Sequence, residues 1–271
     1  MVTMPKFLAP LLLLVLSLQT PSLGFAEEEV PADLREVRPV HSNVEVAPSG
    51  ADIGTLIAEA ANPRVPEQIA EARFREIVSR GPSAAAELTL VFNDTKRADL
   101  EVWVAARALG RVGGQEALQT LLGGLKSQRI MARLGSVSGL GLLGDLRAVS
   151  ALEASLSDKA MMVRAAAADA LGLLGQPASA TALAAALDVP ANFRAGQSLF
   201  VRKHIVDAIG ALGSNSSLAL LVKSTGDADP TVQLAARNAL IKMTGESFGR
   251  STQVTPEETQ AWQAWLNNQG R

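Results

Sequence analysis

The residues best suited to acid–base chemistry are two histidines, His41 and His204, in a chain of 271 residues without cysteine. His204 precedes Asp207 by three residues, a spacing that puts both on one helix face and suits a base and the carboxylate that orients it. No nucleophile motif accompanies this pair, so a local helix contact is expected and no catalytic residue is assigned. Neither histidine is followed by Glu, and no metal site or cofactor is predicted.

A glycine pattern could indicate dinucleotide chemistry. Gly139, Gly141 and Gly144 match G-x-G-x-x-G, which binds a pyrophosphate only between a strand and a helix N-terminus. Residues 129–138 instead read as a helix leading into the glycines, which therefore lie at a helix end, where carbonyl groups are exposed. No dinucleotide site is predicted.

Three arginines recur at equivalent places: Arg133, Arg164 and Arg202. We expect them to form a structural Arg ladder, in which each guanidinium bridges to an acidic or backbone acceptor of a neighbouring unit. A basic ligand-binding groove is the alternative. The net charge of -2, from 25 basic and 27 acidic residues, argues against nucleic acid as a partner.

A repeated turn underlies this regular spacing. Copies of Leu-Gly-x-Leu-Gly recur along the chain, and their first apolar residues are 31, 31, 38 and 31 positions apart, at Leu109, Leu140, Leu171, Ile209 and Leu240. A fixed period of this length is typical of a solenoid. The chain is 48% hydrophobic but only 4% aromatic, which favours helices packed through small aliphatic residues.

Each unit reads as two helices, here named A and B. In the middle unit, helix A carries one apolar face through Val163, Ala166, Ala167, Ala170, Leu171 and Leu174. Gly175 is expected to take a left-handed conformation at its end, and Pro177 to open the next element. The predicted fold is all-α, an α-α superhelix of about six helical pairs, with the B helices lining the concave side.

Helix A starts with Val-Arg at residues 163–164 and 201–202, continues with small residues and ends with Leu-Gly-x-Leu-Gly. This pattern is similar to HEAT repeats, especially the bilin-lyase-like class in exported bacterial proteins. The resemblance covers residues 66–249 and implies the solenoid fold. It implies no single function, since the family has many roles. HEAT-repeat metal hydroxylases carry several His-Glu pairs, which this chain lacks.

Four segments are predicted: a signal peptide at 1–26, a disordered acidic leader at 27–50, a HEAT-repeat solenoid at 51–249 and a C-terminal capping helix at 250–271. The leader could instead fold along the first helices. The signal peptide predicts an exported protein, periplasmic or otherwise extracytoplasmic. The signal segment is either cleaved or kept as an anchor. After cleavage no segment is long enough to span a membrane.

The one long interval, between Leu171 and Ile209, places an insertion at residues 188–199. Insertions in repeat proteins map to loops on one face and are often functional. Phe193, Arg194 and Phe200 are therefore candidate protein-binding residues, unless the phenylalanine simply packs into the core. Further candidates on the expected concave side are Gln119, Arg147 and Glu153.

The predicted function is a non-enzymatic protein-binding scaffold, because a long concave surface offers area without a catalytic pocket. A protein partner is expected, of unknown identity. The first alternative is a bilin-lyase-like or other enzyme on a HEAT scaffold, although an exported chain would not meet cytosolic bilin carriers. The second is a structural protein associated with the cell envelope.

Overall fold

The computed structural model describes residues 46–249 and 251–269, so the predicted signal peptide and most of the predicted leader lie outside the described residues. Within the described part, thirteen α-helices follow one another: α1 (Ile53–Ala60), α2 (Glu67–Ser79), α3 (Ala85–Asn93), α4 (Asp99–Val112), α5 (Gln115–Gly124), α6 (Ile130–Leu143), α7 (Val149–Ser155), α8 (Met161–Leu174), α9 (Ala180–Leu187), α10 (Val201–Leu212), α11 (Leu218–Ser224), α12 (Pro230–Thr244) and α13 (Pro256–Gln269). A hairpin of β1 (Phe193–Arg194) and β2 (Gln197–Ser198) separates α9 from α10.

The even-numbered helices from α2 to α12 are the A helices, and the odd-numbered helices from α3 to α13 are the B helices. From α4 onwards, each A helix packs against the B helix that precedes it in the chain, and neighbouring A helices pack against one another. The result is six helical pairs in two layers, preceded by α1. The predicted all-α solenoid is confirmed.

The chain joins the first repeat through a short extended segment. The backbone N–H groups of Ser49 and Gly50 donate to the carboxylate of Glu76 at 3.0 and 3.1 Å. The guanidinium of Arg73 donates to the carbonyl of Ala47 at 3.1 Å. Residues 47–50 are therefore bound to α2 by polar contacts.

The turn between helix A and helix B has the conformation that its glycine predicts. Gly175 follows α8 with φ 66° and ψ 23°, the left-handed region, and its N–H donates to the carbonyl of Leu171 at 3.3 Å. Pro177 then opens a 3-10 turn that leads into α9. Gly144 and Gly175 thus end α6 and α8 in the same left-handed conformation.

Glycines inside the A helices allow those helices to pack backbone to backbone. A Cβ atom added to Gly110 of α4 would collide with the backbone of Gly139 in α6. One added to Gly141 of α6 would lie 2.9 Å from the Cβ of Ala170 in α8. Side chains keep typical helix pairs 8 to 10 Å apart, so the missing side chains shorten the spacing of the A layer.

The B helices are spaced more widely than the A helices from α4 to α12, and polar side chains connect some of them. Thr89 of α3 meets Thr120 of α5 through their hydroxyl groups, 3.0 Å apart, and Ser179 donates to Glu153 of α7 at 2.8 Å. In a curved two-layer stack the layer with the shorter spacing is on the inside. This packing corrects the expectation that the B helices line the concave side, and it gives that side to the A helices.

The C-terminal end of the core is closed by α13, which packs against α11. Trp262 of α13 is fully buried and makes edge-to-face contacts with Phe248 and Trp265, with ring centroids 4.7 and 5.7 Å away. Helical aromatics at this spacing act as packing groups. The two tryptophans therefore cover the last repeat.

Candidate functional site

The exposed surface of the A helices, here named the A face, carries two rows of residues at repeat-equivalent positions. Two residues before each Leu or Ile of the repeated turn stand Arg107, Ser138, Asp169, Asp207 and Asn238. Two residues after it stand Arg111, Leu142, Leu173, Ala211 and Lys242. The A face is therefore basic at α4, acidic at α8 and α10, and partly apolar between them.

His204 and Asp169 form a pair that links two repeats across this face. Nδ1 of His204 in α10 lies 2.8 Å from a carboxylate oxygen of Asp169 in α8, and the ring of Phe200 contacts the imidazole edge-on at 5.7 Å. Asp207, the expected partner of His204, instead accepts from Lys203 at 2.6 Å. The prediction that His204 pairs with Asp207 on its own helix was wrong. Successive A helices stack so closely that Asp169, one repeat earlier, reaches His204 instead.

The predicted Arg ladder lies buried beside the loops that follow the B helices. Arg133 donates to both carboxylate oxygens of Asp158, at 2.7 and 3.0 Å, and to the carbonyl of Ser127 at 2.9 Å. Arg202 donates to Asp227 and Asp188 at 2.6 and 2.8 Å. These arginines connect one repeat to the next loop through their buried guanidinium groups, although Nε of Arg202 makes no hydrogen bond within the described residues.

Acid should weaken this ladder. Burial by itself raises the pKa of Asp158, but the hydrogen bonds from Arg133 and from the N–H of Ala160 outweigh burial and hold that pKa below its ordinary value. In the unfolded chain the pKa of this carboxyl is about 3.9. Its contribution to stability is fully present above that pH and is lost as the pH falls through the lower pKa of the folded state.

We therefore expect the Asp158→Asn variant to lose about 2 kcal/mol of unfolding free energy at pH 6. Between pH 6 and pH 3 the variant should lose less further stability than the wild type, since it lacks the carboxylate that titrates. Urea unfolding at the two pH values measures both quantities. Equal losses in the two proteins would contradict the assignment.

The insertion supplies the middle member of the ladder with its partner. Asn192 is fully buried; its Oδ1 accepts from Arg164 at 2.9 Å and its amide donates to the carbonyl of Ala186 at 2.8 Å. Asn192 therefore takes the place that Asp158 and Asp227 hold in other repeats. The residues that follow it form the hairpin.

Of the candidate residues in the insertion, Phe193 packs against another side chain and Arg194 is exposed to solvent. The ring of Phe193 lies 4.7 Å from the guanidinium carbon of Arg202, a cation–π contact. Arg194 is exposed beside the hairpin turn, and Phe200, half-buried, packs on His204. The structure thus places Phe200 at the edge of the A face.

The other three candidates lie in the B layer. Gln119 is exposed on α5 and lines a cleft of about 400 Å³ together with Phe92, Thr120 and Gly123. Arg147 pairs with Asp145 at 2.6 Å, and Glu153 accepts from Ser179. These three residues lie in the B layer, opposite the A face, so they do not form one site with Phe200.

The described residues hold no candidate metal site and no helix that could cross a membrane. No group of three His, Cys, Asp or Glu side chains between residues 46 and 269, residue 250 aside, is arranged to hold a metal ion. None of the helices in this part of the chain is both long enough and apolar enough to cross a membrane.

Comparison with known proteins supports the repeat assignment. The family model for HEAT repeats matches residues 124–199. Among solved structures, the complex of CpcE and CpcF of phycocyanin lyase from Nostoc sp. PCC7120 is similar at 25% identity and a TM-score of 0.52, over 60% of this chain and 65% of that one. The chain thus spans somewhat less than two thirds of that relative.

Human deoxyhypusine hydroxylase, in complex with glycerol, is similar at 18% identity and a TM-score of 0.31, over 71% of this chain and 96% of that one. No curated protein matches the sequence.

The likeness to phycocyanin lyase corrects the prediction that the chain is not an enzyme, because that similar structure belongs to an enzyme on a HEAT-type fold. The prediction rested on a long surface without a catalytic pocket and on the absence of a nucleophile motif near His204, and neither absence excludes chemistry by groups that no motif marks. The repeated turn, the two helical layers and the family match over residues 124–199 agree on one identification: this chain is a HEAT-repeat protein.

Proposed function

We propose that this chain is a protein-binding subunit of an enzyme of the phycocyanin-lyase type, and that it holds its partner on the A face. The observation that carries the proposal is the likeness to a lyase that is a complex of two chains. A solenoid offers a long concave surface to such a partner. The exported location, periplasmic or otherwise extracytoplasmic, stays a separate prediction, because an exported chain would not meet cytosolic bilin carriers and would need a partner in the same compartment.

The A face has the composition of a protein interface. Leu173 of α8 is 53% exposed, and Leu142, its equivalent in α6, is half-buried. Asp169 and Asp207 flank this apolar area, and Arg111 lies at the α4 end. Apolar anchors with charges around them provide affinity at the centre and orientation at the rim.

The test uses one substitution at two places of equal exposure. Leu173→Glu, on the A face, should release a partner captured from the native organism and weaken its affinity at least about tenfold, since a central anchor is worth 2 kcal/mol or more. Leu146→Glu is the matched control, because Leu146 is 54% exposed but lies in the turn before α7, at the B layer. Equal retention of the partner by both variants would contradict the use of the A face.

The enzymatic part is tested separately on the captured complex. The complex is incubated with phycocyanin, or with the pigment-free form together with free bilin pigment, and removal or attachment of the pigment is followed by visible absorption. We expect attachment or removal of pigment with the wild-type complex and a large reduction with Leu173→Glu. If the wild-type complex leaves the pigment unchanged, the lyase part of the proposal is rejected while the binding result stands.

A further inference from the structure

Arg107, in α4, is a buried cation to which the described part of the chain supplies no partner. Its side chain is only 4% exposed. Among residues 46–249 and 251–269, no hydrogen-bond acceptor and no carboxylate acts on its guanidinium. The other buried arginines differ, since Arg133 and Arg202 each donate to carboxylates.

Two aromatic side chains flank the guanidinium of Arg107. Its central carbon lies 4.6 Å from the ring centre of Trp103, one turn earlier on α4, and 5.6 Å from that of Phe74 on α2. Contacts with rings occupy the faces of the planar group and leave its N–H edge for hydrogen bonds. That edge matches the two oxygens of a carboxylate.

The electrostatics of the site favour an anion. Burial lowers the pKa of Arg107 to about 10, and the nearby charge of Arg111 adds to this effect. An opposite charge placed beside the guanidinium would reverse both influences. Arg111 is exposed one turn further along α4, so the positive potential extends from the buried group to the surface of the A face.

The position of Arg107 in the repeats points the same way. Its equivalents are the polar residues Ser138, Asp169, Asp207 and Asn238, which form the exposed row of the A face. Arg107 belongs to that row but is covered by aromatic groups. A ligand that reaches this end of the A face therefore meets a desolvated cation, where a charged hydrogen bond is stronger than in water.

We propose that Arg107, assisted by Arg111, is a binding site for a carboxylate group carried by a polypeptide. A monoanion is the better match, because a doubly charged phosphate would bring excess charge between two aromatic rings. The proposal goes beyond the lyase-type function and holds whether or not the chain belongs to an enzyme. It assigns the α4 end of the A face to an acidic partner segment.

Benzoate is a suitable probe, since it joins one carboxylate to a flat apolar body, and benzamide is its uncharged counterpart. Calorimetric titration should show saturable binding of benzoate and none of benzamide. Arg107→Met should weaken benzoate binding at least about tenfold, and Arg111→Met by about two- to threefold, because Arg111 is exposed and screened. Phenyl phosphate, in a parallel titration, should bind more weakly than benzoate.

Arg107→Met also separates binding from folding. Replacing an unpaired buried charge by an apolar side chain of similar volume is neutral or stabilising, so this variant should unfold at the same urea concentration as the wild type or a higher one. Benzoate binding that survives in Arg107→Met would overturn the proposal. So would phenyl phosphate binding more tightly than benzoate.

The chain itself contains one source of such carboxylates, the five glutamates and one aspartate between residues 27 and 45. The titration is therefore repeated on a full-length chain in which all six are changed to amides. Binding by the wild type identifies a site open to a second protein. Binding only after the change identifies the leader as the occupant, and no binding by either chain overturns the proposal.

Discussion

The Gly110→Ala variant is expected to lose about 2 to 3 kcal/mol of unfolding free energy. The added methyl group would collide with the backbone of Gly139, and a backbone cannot rotate away as a side chain can. The helices α4 and α6 would have to separate, which weakens packing along the whole contact. Urea unfolding of the purified protein measures the loss.

Gly123→Ala is the matched control. Gly123 also lies within a helix, α5, but a Cβ atom added there meets nothing within 4 Å. Alanine is the better helix former by about 1 kcal/mol, so this variant should equal or exceed the wild type in stability. If both variants were as stable as the wild type, the close approach of the A helices would be wrong.

The Arg202→Met variant is expected to lose about 3 kcal/mol of unfolding free energy, because it leaves the half-buried carboxylate of Asp227 without its cation. Hydrogen bonds to Asp227, together with the weaker one to Asp188, raise the pKa of Arg202 above its ordinary value despite burial. The substitution also removes the cation–π contact with Phe193. The insertion and the last repeats should loosen together, which hydrogen exchange can follow residue by residue.

Arg129→Met provides the comparison for this result. Arg129 donates to Asp99 at 2.6 Å, as short a contact as that between Arg202 and Asp227, but its side chain is 30% exposed and that of Asp99 is 62% exposed. Ion pairs in contact with water contribute about 1 kcal/mol or less. Equal losses in the two variants would show that burial does not govern the ladder.

Much of the architecture could be predicted because the period of the repeated turn can be counted along the sequence. The spacing of Leu140 and Leu171, and the glycine that ends each A helix, specify where helices begin and end. Which layer is concave depends instead on distances between helices. Gly110 and Gly141 carried that information, but an apolar pattern shows which side is buried and not how closely two helices approach.

The candidate site was harder to predict because its contacts join different helices. His204 lies three residues from Asp207, yet its partner, Asp169, is one repeat away. Arg107 lies one turn after Trp103 on the same helix, but Phe74 reaches it from another helix, and that contact has no local signal in the sequence. An alignment of the repeats by position would have helped, since Arg107 then falls in the same column as Ser138 and Asp169.

The bonds that connect the repeats have one further consequence, which concerns the order in which the chain acquires its structure. Arg133 reaches Asp158 over 25 residues, Arg164 reaches Asn192 over 28, and His204 reaches Asp169 over 35. Contacts so close in sequence favour rapid folding. Nucleation can begin at any pair of adjacent repeats and spread in either direction, so a chain that emerges gradually can complete its early repeats before the last ones exist.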